Sequence, residues 1–260
     1  MKEFTMEIDV SEQDVGRKGL LTWLAVLGWF GAARELFLVG LIPEGIKVGD
    51  ILKMTPIATC EIFARFIGEA KLGEKLVVRV GTEKITGAAT YLAFRLEDQS
   101  GRLLAEGTNS LLFVSPDGAL VNVPGMLKDE ALLYALPKVQ KLSFRKEMEI
   151  EGAAARMQKK WMPTIQDTNC LGDVYWLNFV RQAGRLSEEL LHQAGSELAS
   201  VRSINFQLRK PAFFGDRMKV DLFFGQNEVA VIFKKEEEVA VSGWLEVETA
   251  SRNQEAILAL

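Results

Sequence analysis

The chain has 260 residues, 48% of them apolar, which is enough to bury a sizeable core and excludes a disordered chain. Its formal net charge of −4, with Lys and Arg scattered rather than gathered in a stripe, excludes nucleic acid as a partner. One His and two Cys, Cys60 and Cys170, give no metal-ligand spacing, so neither a metal nor another cofactor is expected.

In chain order, Met1-Lys2-Glu3 is followed by Glu7, Asp9, Glu12 and Asp14, the wrong charge for a signal or transit peptide. Without an export signal, reduced thiols and a cytoplasmic location are expected. After a short first strand comes LLTWLAVLGWFGAA, residues 20 to 33, which is uncharged and ends at Arg34 and Glu35. The run falls short of the roughly 20 apolar residues a spanning helix needs, so it reads as a helix enclosed by protein, with no membrane span. Alternating strands follow in EAKLGEKLVV, residues 69 to 78, and LAEGTNSLLFV, residues 104 to 114, with EDQSGR as a turn between them. The stretch from about 126 to 155 is expected to be a linker, helical at first and broken near Pro137. Then DTNCLGDVYW, residues 167 to 176, opens a second helix, PAFFGDRMKV at 211 to 220 a second strand set, and KKEEE at 234 to 238 a solvated hairpin tip.

The two halves repeat. Gly19, Trp23, Leu24, Gly31 and Glu35 match Gly172, Trp176, Leu177, Gly184 and Glu188, each 153 positions on (172 − 19 = 153). Downstream, Ala70, Gly73 and Val78 match Ala212, Gly215 and Val220 at an offset of 142 (215 − 73 = 142), and Gly107 aligns with Gly243. The first copy therefore carries 11 extra residues (153 − 142), in the stretch containing IPEGIKVGD. One wholly apolar helix per unit, with strands long enough to curl around it, is the arrangement of a hotdog fold. The expected fold class is thus α+β: two hotdog units, 1–125 and 156–260, whose antiparallel sheets wrap around long central helices at 19–38 and 172–192. The strands of both units are expected to join edge to edge in one sheet, and a homodimer is open to such a chain.

Two readings compete at DTNCLGDVYW. Asn169 or Thr168 can cap the helix that follows, with Asp173 in its first turn complementing the dipole. The same amides can instead polarise a thioester carbonyl and hold the oxyanion formed when water attacks. Residues 167 to 191 resemble the helix region of hotdog acyl thioesterases, most closely those of enediyne polyketide pathways. The matching residues are Asp167, Thr168, Asn169, Gly172, Val174, Tyr175, Gly184, Arg185 and Glu188. The resemblance implies hydrolysis of acyl-CoA or acyl-carrier-protein thioesters of fatty-acid or polyketide type. That family uses an Asn, a Tyr and an Arg on this segment; here Asn169 fits, but Phe179 and Ser187 stand at the other two positions. In the first copy the Arg survives as Arg34, beside Glu35, while Gly16 and Val26 replace the Asn and the Tyr.

The resemblance therefore points to Asn169 and Asp173 as catalytic candidates, with Arg34 and Glu35 supplied by the first helix as a hybrid site. Gly172, Tyr175, Trp23, Trp176, Arg185 and Glu188 are the substrate-binding candidates. A weaker similarity links GLLTWLAVLGW, residues 19 to 29, to double-hotdog acyltransferase/decarboxylases, which use a Tyr; none lies in residues 1 to 90. Plant-type acyl-carrier-protein thioesterases share the two-unit layout, but their His- and Asn-bearing motif is not visible. The division of Asn169 and Arg34 between copies favours the alternative of a non-catalytic protein that binds acyl chains or carrier proteins. Cys170 has no neighbouring His to activate it, and His192 lies about five turns past Gly172, too far for a dehydratase base. Arg17 and Lys18 would sit against the positive end of the first helix, where a ligand anion or solvent must offset them.

Overall fold

The computed structural model describes residues 2–16, 18–47, 56–140, 153–169, 172–225 and 227–251. The chain divides into two compact units, Met1–Lys141 and Leu142–Leu260. Unit 1 runs β1 (Phe4–Asp9), α1 (Trp23–Gly40), β2 (Ile57–Phe66), β3 (Lys75–Thr86), β4 (Ala89–Asp98), β5 (Leu103–Phe113) and a short α2 (Gly125–Ala131). Its strands pair antiparallel in the order β1-β3-β4-β5-β2. Unit 2 runs β6 (Ala155–Trp161), α3 (Trp176–Gln193), β7 (Ser196–Leu208), β8 (Met218–Gly225), β9 (Glu228–Lys235) and β10 (Glu238–Ser251). Its order, β6-β8-β9-β10-β7, repeats that of unit 1 element for element. An antiparallel sheet set against one long helix is a hotdog unit, and the chain contains two.

The sequence repeat survives in the coordinates. Both helices have 18 residues, and both ends keep the offset of 153 (23 + 153 = 176; 40 + 153 = 193). The helices start later than the expected 19 and 172. The residues before them form turns closed by Gly19 (φ 69°) and Gly172 (φ 84°), a left-handed backbone that only glycine adopts without strain.

The two helices differ in character. α1 buries Leu27, Phe30, Ala33 and Phe37, with Phe30 stacked on Phe94 at 5.1 Å, yet Leu36 and Val39 on its other side are also apolar and exposed. α3 is not the wholly apolar helix expected of each unit. It buries Leu177, Val180, Ala183, Leu186 and Leu190 at three- and four-residue spacing and exposes Arg181, Arg185, Glu188 and His192. α1 also outruns the uncharged stretch: at 18 residues it is long and apolar enough to cross a membrane, so the length argument does not hold for it. Its buried residues nevertheless include Arg34, and what covers them is the sheet of unit 1.

Sheet and helix approach closely at Gly107. A Cβ there would stand 2.6 Å from the Phe63 carbonyl and 3.1 Å from the Phe30 ring. Gly107→Ala is therefore expected to lower the unfolding free energy by about 1–3 kcal/mol, because the obstacle is a paired strand and not the end of a flexible side chain. Urea unfolding at unchanged slope checks this; an undisturbed midpoint contradicts it.

On the opposite face of unit 1, the chain after α2 lies across the sheet. Thr82 N donates to Tyr134 O at 2.7 Å, Leu136 N donates to Thr82 O at 3.2 Å, and Val139 joins Phe63, Ala93 and Leu136 in an apolar cluster. The helix in this stretch stops at Ala131, well before Pro137. The counterpart of Phe63 in unit 2 is Asn205 (63 + 142 = 205). Asn205 is 1% exposed, and its amide N and O both lack a partner among the described residues. Asn205→Leu is expected to raise the unfolding free energy by about 1–3 kcal/mol, the cost of a buried unsatisfied group. A lower midpoint would show that the amide has a partner.

Candidate functional site

The chain enters α3 through a tight, fully hydrogen-bonded turn. Thr164 donates its backbone N and its Oγ1 to Asp167 Oδ2, at 2.7 and 2.8 Å, closing one turn of 3-10 helix over Ile165–Asp167. The Asp167 carbonyl then accepts from Tyr175 N at 2.8 Å and from Asn178 Nδ2 at 3.0 Å. Between them, Asn169 N donates to Asp173 O at 2.8 Å and Gly172 N to Asn169 O at 3.0 Å, which sets Asn169 and Asp173 on opposite arms of one reversal. Val174 N donates to Ala212 O at 2.7 Å and fastens the turn to the loop after β7.

This geometry corrects the capping expectation for Thr168 and Asp173. Thr168 Oγ1 donates to Ile165 O at 2.8 Å and so caps nothing in α3, and Asp173 lies in the turn instead of the first helical turn. The N-cap residue is Tyr175, and its side chain makes no capping hydrogen bond. Trp176, the first helical residue, is 5% exposed, with its ring 5.6 Å from that of Tyr175.

Unit 1 shows the same turn with different side chains. Gly16 N donates to Leu20 O at 2.9 Å, Gly19 N to Gly16 O at 2.8 Å, Thr22 N to Asp14 O at 2.9 Å and Leu21 N to Ala70 O at 2.8 Å. Gly16 thus stands where unit 2 has Asn169, Leu20 where it has Asp173, Thr22 where it has Tyr175 and Ala25 where it has Asn178. Thr22 caps its helix, accepting from Ala25 N at 3.2 Å. Lys18 belongs to the turn, five residues before α1; Arg17 and, in unit 2, Cys170 lie outside the described residues.

The remaining candidates are distributed along the two helices. Arg34 is 8% exposed within unit 1, donating Nη1 to Thr59 Oγ1 at 3.0 Å and to Asn109 Oδ1 at 3.4 Å, with Nη2 3.4 Å from the exposed Glu35 carboxylate. Trp23 meets Phe66 edge to face at 6.3 Å. Arg185, hydrogen-bonded to Gln182, and Glu188 are exposed on α3, about 14 and 18 Å along the helix axis from Trp176 at its usual rise. Phe179 is buried between Trp161 and Phe233, and Ser187 Oγ donates to Ala183 O at 2.7 Å, so neither offers a reactive group. Asn178, Thr59 and Asn109 were missed by the sequence reading; aligning Asn178 with Ala25 at the offset of 153 was the signal available for the first.

Electrostatics single out Asp173. It is half-buried, and burial pushes its carboxyl above the ordinary carboxylate range. Together the turn and helix offer an entrance with a carboxylate of raised proton affinity, a primary amide, and a helix start whose N-cap residue, Tyr175, supplies no side-chain cap.

No protein-family model matches the sequence, and no curated protein matches it. Among solved structures, one described as an oleoyl thioesterase from Lactobacillus plantarum is 11% identical, with a TM-score of 0.77 over 96% of this chain and 98% of that one. A 12:0-ACP thioesterase from Umbellularia californica is 12% identical, with a TM-score of 0.76 over 95% and 98%. An acyl-ACP thioesterase from Bacteroides thetaiotaomicron is 15% identical, with a TM-score of 0.74 over 94% and 97%. These likenesses run through both units, and the chain has the double hotdog architecture they share.

Proposed function

We propose that the chain is a thioesterase-like enzyme that hydrolyses acyl-CoA or acyl-carrier-protein thioesters, with its working site at the entrance to α3. Thioester hydrolysis by the three neighbours, as their names describe them, supports the substrate class. The observation that carries the reading is the contrast between two copies of one scaffold. At α1 the N-cap residue Thr22 caps the first turn with its side chain; at α3 the N-cap residue Tyr175 does not, and Asn169 and Asp173 replace Gly16 and Leu20 on the same backbone turn. Unit 1 builds the same backbone turn with Gly16 and Leu20, which supports a chemical use for the polar pair.

In this reading the thioester carbonyl oxygen points at the start of α3, where amides and the helix dipole stabilise the negative charge that develops on it. The Asn169 amide adds a donor to that oxygen. Asp173 takes a proton from water as the water oxygen bonds to the carbonyl carbon; its raised proton affinity suits this role. The tetrahedral oxyanion then collapses, the C–S bond breaks, and the departing thiolate recovers the proton from Asp173. The products are a carboxylic acid and a free thiol.

Phe179 and Ser187, inert at the family's Tyr and Arg positions, favour the rival reading of an acyl-chain or carrier-protein binder without turnover. Incubation with a panel of acyl-CoAs and acyl-carrier proteins, reading free thiol and binding in parallel, separates the two. Thiol release supports the enzyme; saturable binding without it supports the binder.

A further inference from the structure

From 176 to 187, α3 carries only two charged residues, Arg181 and Arg185. Both are exposed, and their spacing of four sets them on one face of the helix. Like charges one turn apart destabilise a helix slightly, and cations in its leading half gain nothing from the helix dipole. The repeat supplies an internal control. Unit 1 has Gly28 (181 − 153) and Ala32 (185 − 153) at the same places, so a helix of this length forms on this scaffold without the pair.

Both guanidinium groups lean back toward the start of the helix. Arg181 Nη1 donates to Asn178 Oδ1 at 3.1 Å, and Asn178 Nδ2 donates in turn to the Asp167 carbonyl at 3.0 Å. That chain joins the Arg181 head to the chain segment that leads into the turn of Asn169 and Asp173. Arg185 Nε donates to Gln182 Oε1 at 3.3 Å, one turn behind it. The partners of both arginines are thus neutral amides, and neither arginine is in an ion pair among the described residues. Of the other charges nearby, Glu189 is paired with Lys159, and Asp167 is held by Thr164. Glu188 and His192 lie beyond Arg185, away from the helix start.

Acyl-CoA and acyl-carrier protein present their thioester on the same phosphopantetheine arm, whose phosphate stands about 15 Å from the sulfur when extended. Asn178 and Gln182, against which the two guanidinium groups are held, lie about 3 and 9 Å along the axis from Trp176 at the usual helical rise. A thioester at the start of α3 therefore has both arginines within the span of its arm. Guanidinium presents paired N–H donors that match a phosphate, and two of them on one face match it better than one.

We propose that Arg181 and Arg185 form a phosphate subsite beside the α3 entrance and hold the phosphate that ends the pantetheine arm. The proposal rests on the reading of that entrance as the thioester site. Calorimetric titration of the full chain at low salt with pantetheine, 4′-phosphopantetheine and CoA tests it without reading turnover. Wild type is expected to bind 4′-phosphopantetheine about tenfold or more tightly than pantetheine, and the preference to shrink as salt is raised. Arg181→Gln/Arg185→Gln is expected to lose that preference while unfolding at the wild-type midpoint, because both side chains are exposed. Wild type that binds none of the three ligands or binds all equally, or a folded double variant that keeps the preference, overturns the proposal. A preference that appears only with CoA also overturns it, because the nucleotide phosphates would then be the group recognised. The two readings fail separately. A chain with the expected preference that releases no thiol from any thioester keeps the phosphate subsite and loses the hydrolase, and one that releases thiol without the preference does the reverse.

Discussion

Asp173→Asn is expected to slow thioester cleavage about 10²–10⁴-fold, the range for a lost general base, while leaving the protein at least as stable as before at neutral pH. The two halves of this expectation have one cause. Burial raises the proton affinity of the Asp173 carboxyl, so the folded protein holds a charge it would rather neutralise. Below the unfolded value of 3.8 both states carry the neutral acid and nothing is lost. As pH rises from there through the raised folded value, the folded state binds more protons than the unfolded one, and stability falls; above that window the penalty is constant. An Asn of the same shape carries no such penalty. Its unfolding midpoint is therefore expected to equal or exceed that of wild type at pH 7 and to lose any advantage on acidification below 3.8. The kcat/KM of wild type is expected to fall as pH drops through the raised value, an acid limb the variant lacks. A variant that loses stability along with activity would return Asp173 to a structural role.

Asn169→Ala is expected to cost about 10²-fold or more in turnover, the scale seen when one oxyanion donor is removed. The two backbone hydrogen bonds that close the turn use only the N and O of Asn169. Unit 1 demonstrates this, because Gly16 makes the same two bonds with no side chain at all. The variant should therefore fold like wild type, and thiol release with a parallel thermal melt checks both points. Undiminished turnover by a folded Asn169→Ala protein would place the chemistry elsewhere.

Much of the fold could be read from the chain because duplication wrote it twice. Gly19 with Gly172, and Gly107 with Gly243, mark a positive-φ turn and a close approach that no other residue tolerates, so they persisted while neighbours drifted. The hydrophobic pattern located both helices, but not their first residues. Gly172 belongs to a reversal whose polar residues hydrogen-bond one another, and a run of Asp, Thr and Asn reads the same whether it caps a helix or closes a turn. The first helix was expected to run past Arg34, to 38, but the apolar length weighed against a membrane span was counted only up to that charge. The guanidinium instead goes inside, onto Thr59 and Asn109, partners 25 and 75 residues away that no local pattern reveals. The candidate residues were legible as a set of polar side chains, whereas the failure of the N-cap residue Tyr175 to cap α3 emerged only from setting it beside Thr22 in three dimensions.

A crystal structure with a non-hydrolysable acyl-CoA analogue, its thioester sulfur replaced by methylene, tests the central claim most directly. The account predicts the carbonyl oxygen at the first turn of α3, within hydrogen-bond reach of its amides and of Asn169, with Asp173 facing the path of attacking water. A carbonyl seated at the Thr22-capped start of α1, or away from both helix starts, would contradict it.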